Sequence, residues 1–547
     1  MTGPAAAGPV TARAPRQRNG DIARAAALVA AVTVAARVVG FGRIIVFAHT
    51  VGPTCLGDTY YTANTVPNIM FDVVAGGALA GVVVPLLAGR AQNDPEAADR
   101  ISSALLTWTL LLMLPVLVIG LVAARPIMNL LVGNGHPGCI ADQEQVVGAR
   151  MLVVFMPQVL LYGAGIVLTG ILQSHRRFFT AALAPLLSSV VVIGAYLTFA
   201  AVARPGETSM TTLTRSHELI LSVGTTAGVV ALVAPLLIPL AWTGRRLRPT
   251  LRMPADVARS ARRLAVAGAV VLGSQDLATA AILRLANDRG ASGAVVLFNL
   301  AWTVFLLPWA VLAVPLAIAA FPTLVERWDA HDRSAFASTA AAATRAILLG
   351  CAAAAAVLIG CAEPAARVVV QGAPGHVAPT DLARAFIAFA PGLLAFGVMA
   401  HVARVMYARG DARTPAVATA AGWLVTVLTD VALVTALPRT WTAAALGMGT
   451  TIGMTMAATW MLLSLRLAQP DSLRGVMRSL LSSVAAAVVA AAAAAAVCAA
   501  LPRRGVATSL GVATVGGLVA AGLFFALVSR LDRSTMLLVL RRVPGVR

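Results

Sequence analysis

Long apolar runs dominate this chain, and short breaks rich in Arg, Pro or Gly separate them. A helix of about 20 apolar residues crosses the hydrocarbon core of a bilayer, where unpaired backbone groups are too costly. Runs of Ala, Leu and Val favour helices over the alternating strands of a membrane barrel. Charged residues make up 12% of the chain, about half of what a soluble protein carries. The sequence therefore predicts an all-α polytopic membrane protein.

The lengths and breaks of these runs predict about fourteen membrane-spanning helices. We place them at 24–50, 58–89, 101–124, 148–172, 178–202, 217–242, 257–286, 293–322, 336–361, 381–407, 413–436, 440–466, 474–500 and 506–530. The longest interior polar break has six spans before it and eight after it. The expected organisation is a disordered cytoplasmic tail (1–23), an N-lobe (24–242), a cytoplasmic linker (243–262), a C-lobe (263–466) and a final helix pair with its tail (467–547). Two facing six-helix lobes are typical of transporters with internal repeats.

The distribution of basic residues predicts the orientation. The chain carries a net charge of +20, and its arginines concentrate in alternate breaks. By the positive-inside rule, both termini are predicted to be cytoplasmic in a multi-pass plasma membrane protein. Because the arginines are dispersed over short loops, they do not indicate nucleic acid as a partner. Cys55 and Cys139 fall in predicted outside loops, an oxidising location that makes them candidates for a disulfide.

Ionisable residues inside the first two spans mark a candidate site, because buried charge in a membrane is costly. Arg37 and Arg43 lie in the first span, Asp58 opens the second, and Asp72 lies inside it. The two arginines can both border a wide cavity. Alternatively, Arg43 pairs with Asp72 or Asp58 and locks two helices together.

A second group of candidates lies in later spans and surrounds Asp430. Carboxylates with hydroxyl neighbours suit Na⁺, and a deep Asp also suits a titrating proton. The candidate cation-coupling residues are Asp276, Thr426, Asp430, Thr450 and Thr451. Alternatively, Asp430 forms a buried ion pair with Arg284 or Arg404. No nucleophile–base pair and no Cys/His metal pattern is present, so we expect a protein that is not an enzyme and that has no cofactor beyond Na⁺ or H⁺.

Several segments, in order, resemble one known family. They are ARVVGFGR, GDTYYTANTVPNIMFDVVAGGALAGVVVPLLA, FMPQVLLYGAGIVLTGILQSHRRFFTAALAP, LPWAVLAVPLAIAAFPTL and MYARGDARTP. They are similar to MurJ (also called MviN), the lipid II flippases of the multidrug/oligosaccharidyl-lipid/polysaccharide exporter superfamily. The resemblance implies two lobes around a cationic cavity, a lateral groove for a polyprenyl tail in the last two spans, and Na⁺ binding between the seventh, eleventh and twelfth spans in some members.

The resemblance also assigns roles to residues. Arg37 and Arg43 match cavity arginines of the family, and Asp58 matches its acidic residue in the second span. Many members carry Arg just after the PN motif, where this chain has Phe71 and Asp72, and another in the eighth span, near Thr303 here. Arg284 is expected to supply part of the missing charge. The predicted substrate-binding residues are Arg37, Arg43, Asp58, Asn68, Asp72 and Arg284.

The function implied is transport of lipid II, undecaprenyl-diphosphate carrying a disaccharide-pentapeptide, from the cytoplasmic to the outer leaflet by alternating access. This activity belongs to peptidoglycan biosynthesis, cell wall biogenesis and cell shape. The expected partners are the lipid-linked substrate, the membrane, and cell-wall synthesis or division proteins. Two alternatives stay open: an exporter of another polyprenyl-linked glycan or of cationic drugs, and a non-transporting scaffold of the cell-wall machinery.

Overall fold

The computed structural model describes residues 15–73, 94–175, 177–203, 210, 212–242, 248–252, 255–375, 377–502 and 505–540. Nearly all of these residues are helical, and none of them forms a strand. The all-α prediction is confirmed.

The first lobe contains one helix for most spans and two where a span is interrupted. In the described ranges its helices are α1 (Pro15–Thr50), α2 (Cys55–Phe71), α3 (Pro95–Val122), α4 (Ala124–Val132), α5 (Ala141–Phe155), α6 (Gln158–Ser174), α7 (Phe178–Val202) and α8 (Arg215–Trp242). Side by side, α1 packs on α7, α7 on α8, α8 on α6 and α6 on α3, while α2 packs on α5. This arrangement leaves α1, α2, α6, α7 and α8 around a common interior.

The second lobe and the final pair follow the linker. Their described helices are α9 (Ala255–Arg289), α10 (Ala294–Pro308), α11 (Val314–Asp329), α12 (Arg333–Gly360), α13 (Ala362–Val370), α14 (Pro379–Phe389), α15 (Gly392–Ala408), α16 (Arg413–Ala436), α17 (Thr442–Ala468), α18 (Val476–Ala500), α19 (Val506–Leu531) and the short α20 (Arg533–Leu540). A π-helical turn, Trp309–Ala313, joins α10 to α11. The final pair α18 and α19 packs on α12 of the second lobe.

The two lobes share a pattern of interruptions that hydropathy alone did not reveal. In each lobe the third span is followed by a nine-residue helix, α4 or α13. In each lobe the fourth span then breaks at a proline, Pro157 between α5 and α6 and Pro391 between α14 and α15. Proline lacks a backbone N–H and clashes with the preceding turn, so it interrupts a helix at these points. The repeated breaks support an internal structural repeat.

Twelve helical stretches in the described ranges, some of them made of two consecutive helices, are long and apolar enough to cross a membrane, and each coincides with one of the predicted spans. The other two predictions are the second and seventh spans. The seventh corresponds to α9. The second begins as α2, and its expected continuation at 74–89 lies outside the described residues.

Two predicted boundaries are wrong. The expected disordered tail overlaps α1, which already begins at Pro15. Extending an existing helix gains a hydrogen bond for each added residue, so the helix continues through this segment in spite of Asn19, Gly20 and Asp21. Residues 1–14 lie outside the described residues. The expected linker is also too long, because α9 begins at Ala255, directly after a proline, which favours a first helical turn.

The lobes meet at one end of the bundle, which we call the disulfide end because Cys55 and Cys139 form a disulfide there with Cα atoms 5.9 Å apart. At this end α2 and α4 contact α9, and α2 also contacts α10. Gly52 has a φ of 70°, and a Cβ atom there would come within 2.6 Å of the Pro374 carbonyl oxygen. Glycine therefore permits the close approach of the α1–α2 turn to the second lobe. The opposite end, where the linker lies, we call the linker end.

Candidate functional site

A cavity of about 660 Å³ lies between α1, α2, α6, α7 and α8 of the first lobe and α10 of the second. Its polar lining consists of Thr33, Arg37, Arg43, Asn64, Asn68, Tyr162, Ser188, Ser189, Thr225 and Thr303. The charged side chains in this lining are both arginines, and no described Asp or Glu contributes to it. Such a cavity has positive charge, neutral hydrogen-bonding groups and apolar walls. It suits an anionic head group that carries hydroxyl or amide groups.

Both cavity arginines come from α1. Arg37 is exposed and Arg43 is half-buried. Among the described side chains, neither has a carboxylate within 4 Å, so the predicted alternative, in which Arg43 pairs with Asp72 or Asp58, is absent. A guanidinium stays charged and offers a planar fork of donors that matches phosphate geometry. The two arginines are therefore available to an incoming anion.

Several neutral cavity residues were not predicted from the sequence. Asn64 lies one helical turn before the predicted Asn68 on α2, and Asn68 Nδ2 donates to the Asn64 carbonyl oxygen at 3.0 Å. Ser188 and Ser189 interrupt the apolar run of α7. The signal that could have identified them is a polar residue inside a span, repeated at a spacing of four on α2. Apart from Asn68, the prediction for this cavity rested on ionisable residues.

Asp58 does not line this cavity. Its carboxylate is fully buried at the disulfide end, where it accepts backbone N–H groups of Gly293 at 2.6 Å and Val296 at 2.9 Å. These groups belong to the first turn of α10, whose unpaired donors and dipole attract a negative charge. Asp58 therefore joins the first lobe to the second.

Two further predicted substrate-binding residues also lie away from the cavity lining. Arg284 forms an ion pair with Asp288 at 3.2 Å, one turn further along α9 at the disulfide end. The expectation that Arg284 supplements the cavity charge is wrong, because its helix carries it to this end and its charge already has a partner. Asp72 forms the C-cap of α2 and is half-buried outside the lining. Of the six predicted residues, Arg37, Arg43 and Asn68 line the cavity.

A second unusual group lies in the second lobe, where α16 packs on α17. Asp430 is fully buried, and neither of its carboxylate oxygens has a hydrogen-bond partner among the described residues. The hydroxyl of Thr426, one turn away, is also buried without a described partner. Both face glycines of α17, since a methyl group at Gly449 would overlap Asp430 Oδ1 and one at Gly453 would overlap Thr426 Oγ1. The glycines therefore make room for these oxygen atoms.

The other candidate hydroxyl groups have their hydrogen atoms committed to backbone carbonyls. Thr450 donates to the Leu446 carbonyl at 2.9 Å, and Thr451 donates to the Ala388 carbonyl at 2.8 Å, on the side of α17 that faces α14. Asp276 is buried on α9, which packs on α16, and its Oδ2 has no hydrogen-bond partner among the described residues. Its charge interacts with that of Asp72 on α2, and no contact between Asp276 and Asp430 is found in the described part of the chain.

The predicted alternative, an ion pair of Asp430 with Arg284 or Arg404, is absent among the described residues. Arg284 pairs with Asp288, and Arg404 donates to the Ala400 carbonyl. A buried carboxylate without a partner costs several kcal/mol if it is ionised and alone. A proton on the carboxyl group or a bound cation would remove this cost. A carboxylate oxygen beside a hydroxyl oxygen is the kind of ligand that a small hard cation such as Na⁺ takes.

Solved structures with the same fold are transporters. A structure of the lipid II flippase MurJ in an inward closed conformation matches with a TM-score of 0.69 at 16% identity, covering 91% of this chain and 99% of that chain. An inward-facing multidrug resistance transporter of the MATE family, in the MOP superfamily, matches with a TM-score of 0.64 at 15% identity, covering 82% of this chain and 99% of that chain. At such identities the likeness establishes the fold alone.

Sequence comparison identifies the family. The probable lipid II flippase MurJ of Rhizobium tropici is 27% identical over 169 residues, 30% of this chain and 31% of that protein. The lipid II flippase MurJ of Thermosipho africanus is 24% identical over 163 residues, 29% of this chain and 32% of that protein. These matches span about a third of the relatives' length. The family model described as lipid II flippase MurJ matches residues 47–515, most of the chain. The protein therefore belongs to the lipid II flippase MurJ family.

Proposed function

We propose that this protein flips lipid II, the polyprenyl-diphosphate-linked peptidoglycan precursor, from the cytoplasmic to the outer leaflet. The observation that carries the proposal is the pair Arg37 and Arg43 in a cavity whose lining has no described carboxylate. A diphosphate binds such a pair through charge-assisted hydrogen bonds, each contributing about 1.5–3 kcal/mol. Asn68 and the hydroxyl groups of the lining suit the sugar and peptide amides.

The proposed cycle keeps the polyprenyl tail in lipid, which avoids the large cost of bringing its apolar surface into water. The tail lies along the surface next to α18 and α19, as the resemblance to the family implies. The head group enters at the linker end while the disulfide end is closed, and the two lobes then rock about the bound head group. We place the disulfide end outside the cell, since disulfides persist in oxidising compartments, and the arginine-rich linker and both termini inside.

We also propose that Asp430 couples transport to a cation, Na⁺ or H⁺. Its support is the absence of any described partner for either carboxylate oxygen, together with the unpartnered hydroxyl of Thr426. A cation bound there neutralises the buried charge. Release of the cation restores the cost and favours another conformation of the second lobe.

The cavity disfavours the cationic-drug alternative. A cationic drug is attracted by carboxylates and repelled by arginines, and the described lining offers only arginines as charged groups. Another polyprenyl-diphosphate glycan fits the same diphosphate contacts. Selectivity between the two cargoes therefore depends on contacts of the cavity with the sugar and the peptide. The proposed protein partners are enzymes of cell-wall synthesis or division, which produce or consume such a cargo at the membrane.

The test is complementation. Cells depleted of their own lipid II flippase express this chain, Arg37→Ala, Arg43→Ala or a control, Arg125→Ala, whose side chain pairs with Asp142 at 2.6 Å outside the cavity. We expect growth with the unaltered chain and with Arg125→Ala, and loss of growth with each cavity variant at equal membrane abundance. Growth of the double variant Arg37→Ala/Arg43→Ala would instead support a scaffold that needs no cargo site.

A further inference from the structure

Three titratable side chains form a buried triad at the disulfide end. His136 lies between two carboxylates, with Nε2 3.3 Å from Asp58 Oδ2 and Nδ1 3.6 Å from Glu144 Oε1. All three side chains are at most 1% exposed. The triad therefore has one group able to carry a positive charge and two able to carry negative charges.

The triad sits where the two lobes are held together. Asp58 accepts the N–H groups of α10 described above, and the loop that carries His136 joins α4 to α5. The same loop contacts α9, since the backbone N–H of Asn134 donates to Asp288 Oδ1 at 3.2 Å. Separation of the lobes at this end must expose the triad to water.

The disulfide fixes the triad within the first lobe. Cys55 and Cys139 lie three residues from Asp58 and His136 respectively, and their bond ties the loop to the start of α2. Glu144 belongs to α5, which packs on α2. The surfaces that separate on opening are therefore the triad on one side and the ends of α9 and α10 on the other.

The protonation state of His136 determines how much net charge is buried at the closed end. With a neutral imidazole and both carboxyl groups ionised, two buried negative charges would face each other across His136, at a cost of several kcal/mol. With an imidazolium, one carboxylate is neutralised, and the remaining charge is stabilised by the N-terminus of α10.

We propose that His136 is a positioning residue for transport, a protonated latch that holds the disulfide end closed and releases its proton when that end opens. The inference rests on the proposed alternating access, but not on the identity of the cargo.

The electrostatics of the closed end support this role. Burial alone would lower the pKa of His136, but its interaction with Glu144, the negative charges of Asp58 and Glu144, and the backbone of Ala286 outweigh burial and raise the pKa above its usual value. The other charged groups near the loop in the described ranges pair with one another: Arg284 and Arg289 with Asp288 on α9, and Arg125 of α4 with Asp142 of α5. In an open, hydrated state the pKa returns toward about 6.5.

Proton binding to His136 and closure of the disulfide end are thermodynamically linked. The closed state binds the proton more tightly, so closure is fully favoured below the ordinary pKa of histidine and weakens as the pH rises through the higher pKa of the closed state. The ratio of open to closed protein is expected to rise up to about tenfold for each pH unit that separates the two pKa values.

The experiment measures the two states directly, without cargo. Spin labels at position 130 on α4, where Leu130 is 70% exposed, and at position 440 before α17, in disulfide-intact protein in nanodiscs, report separation of the lobes. We expect the longer-distance population to grow as the pH rises above the ordinary pKa of histidine, about 6.5. His136→Gln should abolish most of this dependence, and Glu144→Gln should move the transition to lower pH. His49→Gln, which changes an exposed histidine on α1, should follow the unaltered protein.

A distance distribution that ignores pH in the unaltered chain would overturn the proposal, as would a His136→Gln profile that matches it. If His136→Gln fails to fold, nitrogen NMR of the unaltered protein with labelled histidines measures the protonation state of His136 directly. A protonated imidazole persisting above the ordinary pKa supports the latch, and a neutral one contradicts it. Failure of complementation with an intact pH response would reject the cargo and leave the latch standing.

Discussion

The two lobes share one pattern of helices and interruptions, yet the candidate sites inside them have opposite charge. The first lobe presents Arg37 and Arg43 without a described carboxylate partner, while the second buries Asp430 without a described cation. Arg150 of the first lobe, by contrast, is paired with Glu218 at 2.6 Å. The same scaffold therefore carries a candidate site for an anion in one lobe and a candidate site for a cation in the other. In each case the missing partner is expected to come from outside the chain.

Reversing the charge in the first lobe should have the largest effect. Arg43→Glu replaces a donor to the diphosphate by a group that repels it, so we expect transport of lipid II to fall more than about 100-fold. Arg43→Lys keeps the charge but loses the bidentate geometry, and should retain part of the activity. Initial flipping rates in proteoliposomes measure both. Equal loss in the two variants would point to a packing role for Arg43.

Neutralising the second lobe should have the next largest effect and act on coupling. Asp430→Asn keeps the shape and removes the titrating charge, so transport should lose its response to a Na⁺ or proton gradient while cargo binding persists. We expect roughly a tenfold drop in gradient-driven accumulation in vesicles, comparable with one lost charged interaction. A gradient response like that of the unaltered protein would remove Asp430 from the coupling role.

The close packing of the α17 glycines against the Asp430 site is expected to contribute to stability. Gly449→Ala places a methyl group against Asp430 Oδ1, and the carboxylate or the helix must shift. We expect a loss of roughly 1–3 kcal/mol in stability, measured by thermal unfolding in detergent. The stabilisation that added Na⁺ gives against thermal unfolding should also become weaker. Gly522→Ala on α19, where a Cβ atom meets nothing within 4 Å, should be neutral or slightly stabilising. Similar losses at both sites would mean that helix dynamics, not contact with Asp430, set the effect.

The smallest expected effect concerns Asp532, a buried carboxylate whose oxygen atoms accept several hydrogen bonds. Burial alone would raise the pKa of Asp532, but hydrogen bonds from Ser479, Thr535 and Ser534 lower it to about 2. A lowered pKa stabilises the folded protein above about pH 4, and this contribution is lost as the pH falls toward 2. Asp532→Asn should therefore destabilise the protein at neutral pH by about 1 kcal/mol and flatten this acid dependence. Asp430→Asn should cause no comparable loss, because its carboxylate has no described partner.

Much of the fold was predictable from hydropathy, because lipid imposes a length and a polarity on every span. Twelve candidate spans coincide with predicted ones. The breaks at Pro157 and Pro391 were less visible, since each lies inside one continuous apolar run. Their meaning emerges only when the two lobes are compared in three dimensions.

The candidate site was predictable in part. Arg37 and Arg43 stand out because charge within a span is costly. Asp58 and Arg284 carry the same signal but lie at the disulfide end, since hydropathy gives depth only roughly and says nothing about the direction a side chain faces. His136 gave no signal, because it lies in a polar loop and meets Asp58 only through tertiary packing across 78 positions of sequence.

The most direct test of the central claim is flipping of fluorescent lipid II by the purified full chain in proteoliposomes, measured by the protection of the label from a membrane-impermeant reductant. We predict rapid loss of protection with the unaltered protein and with Arg125→Ala, and a rate near that of empty liposomes with Arg37→Ala/Arg43→Ala. Flipping at the full rate by the double variant, or none by the unaltered protein under an imposed Na⁺ or pH gradient, would contradict the account.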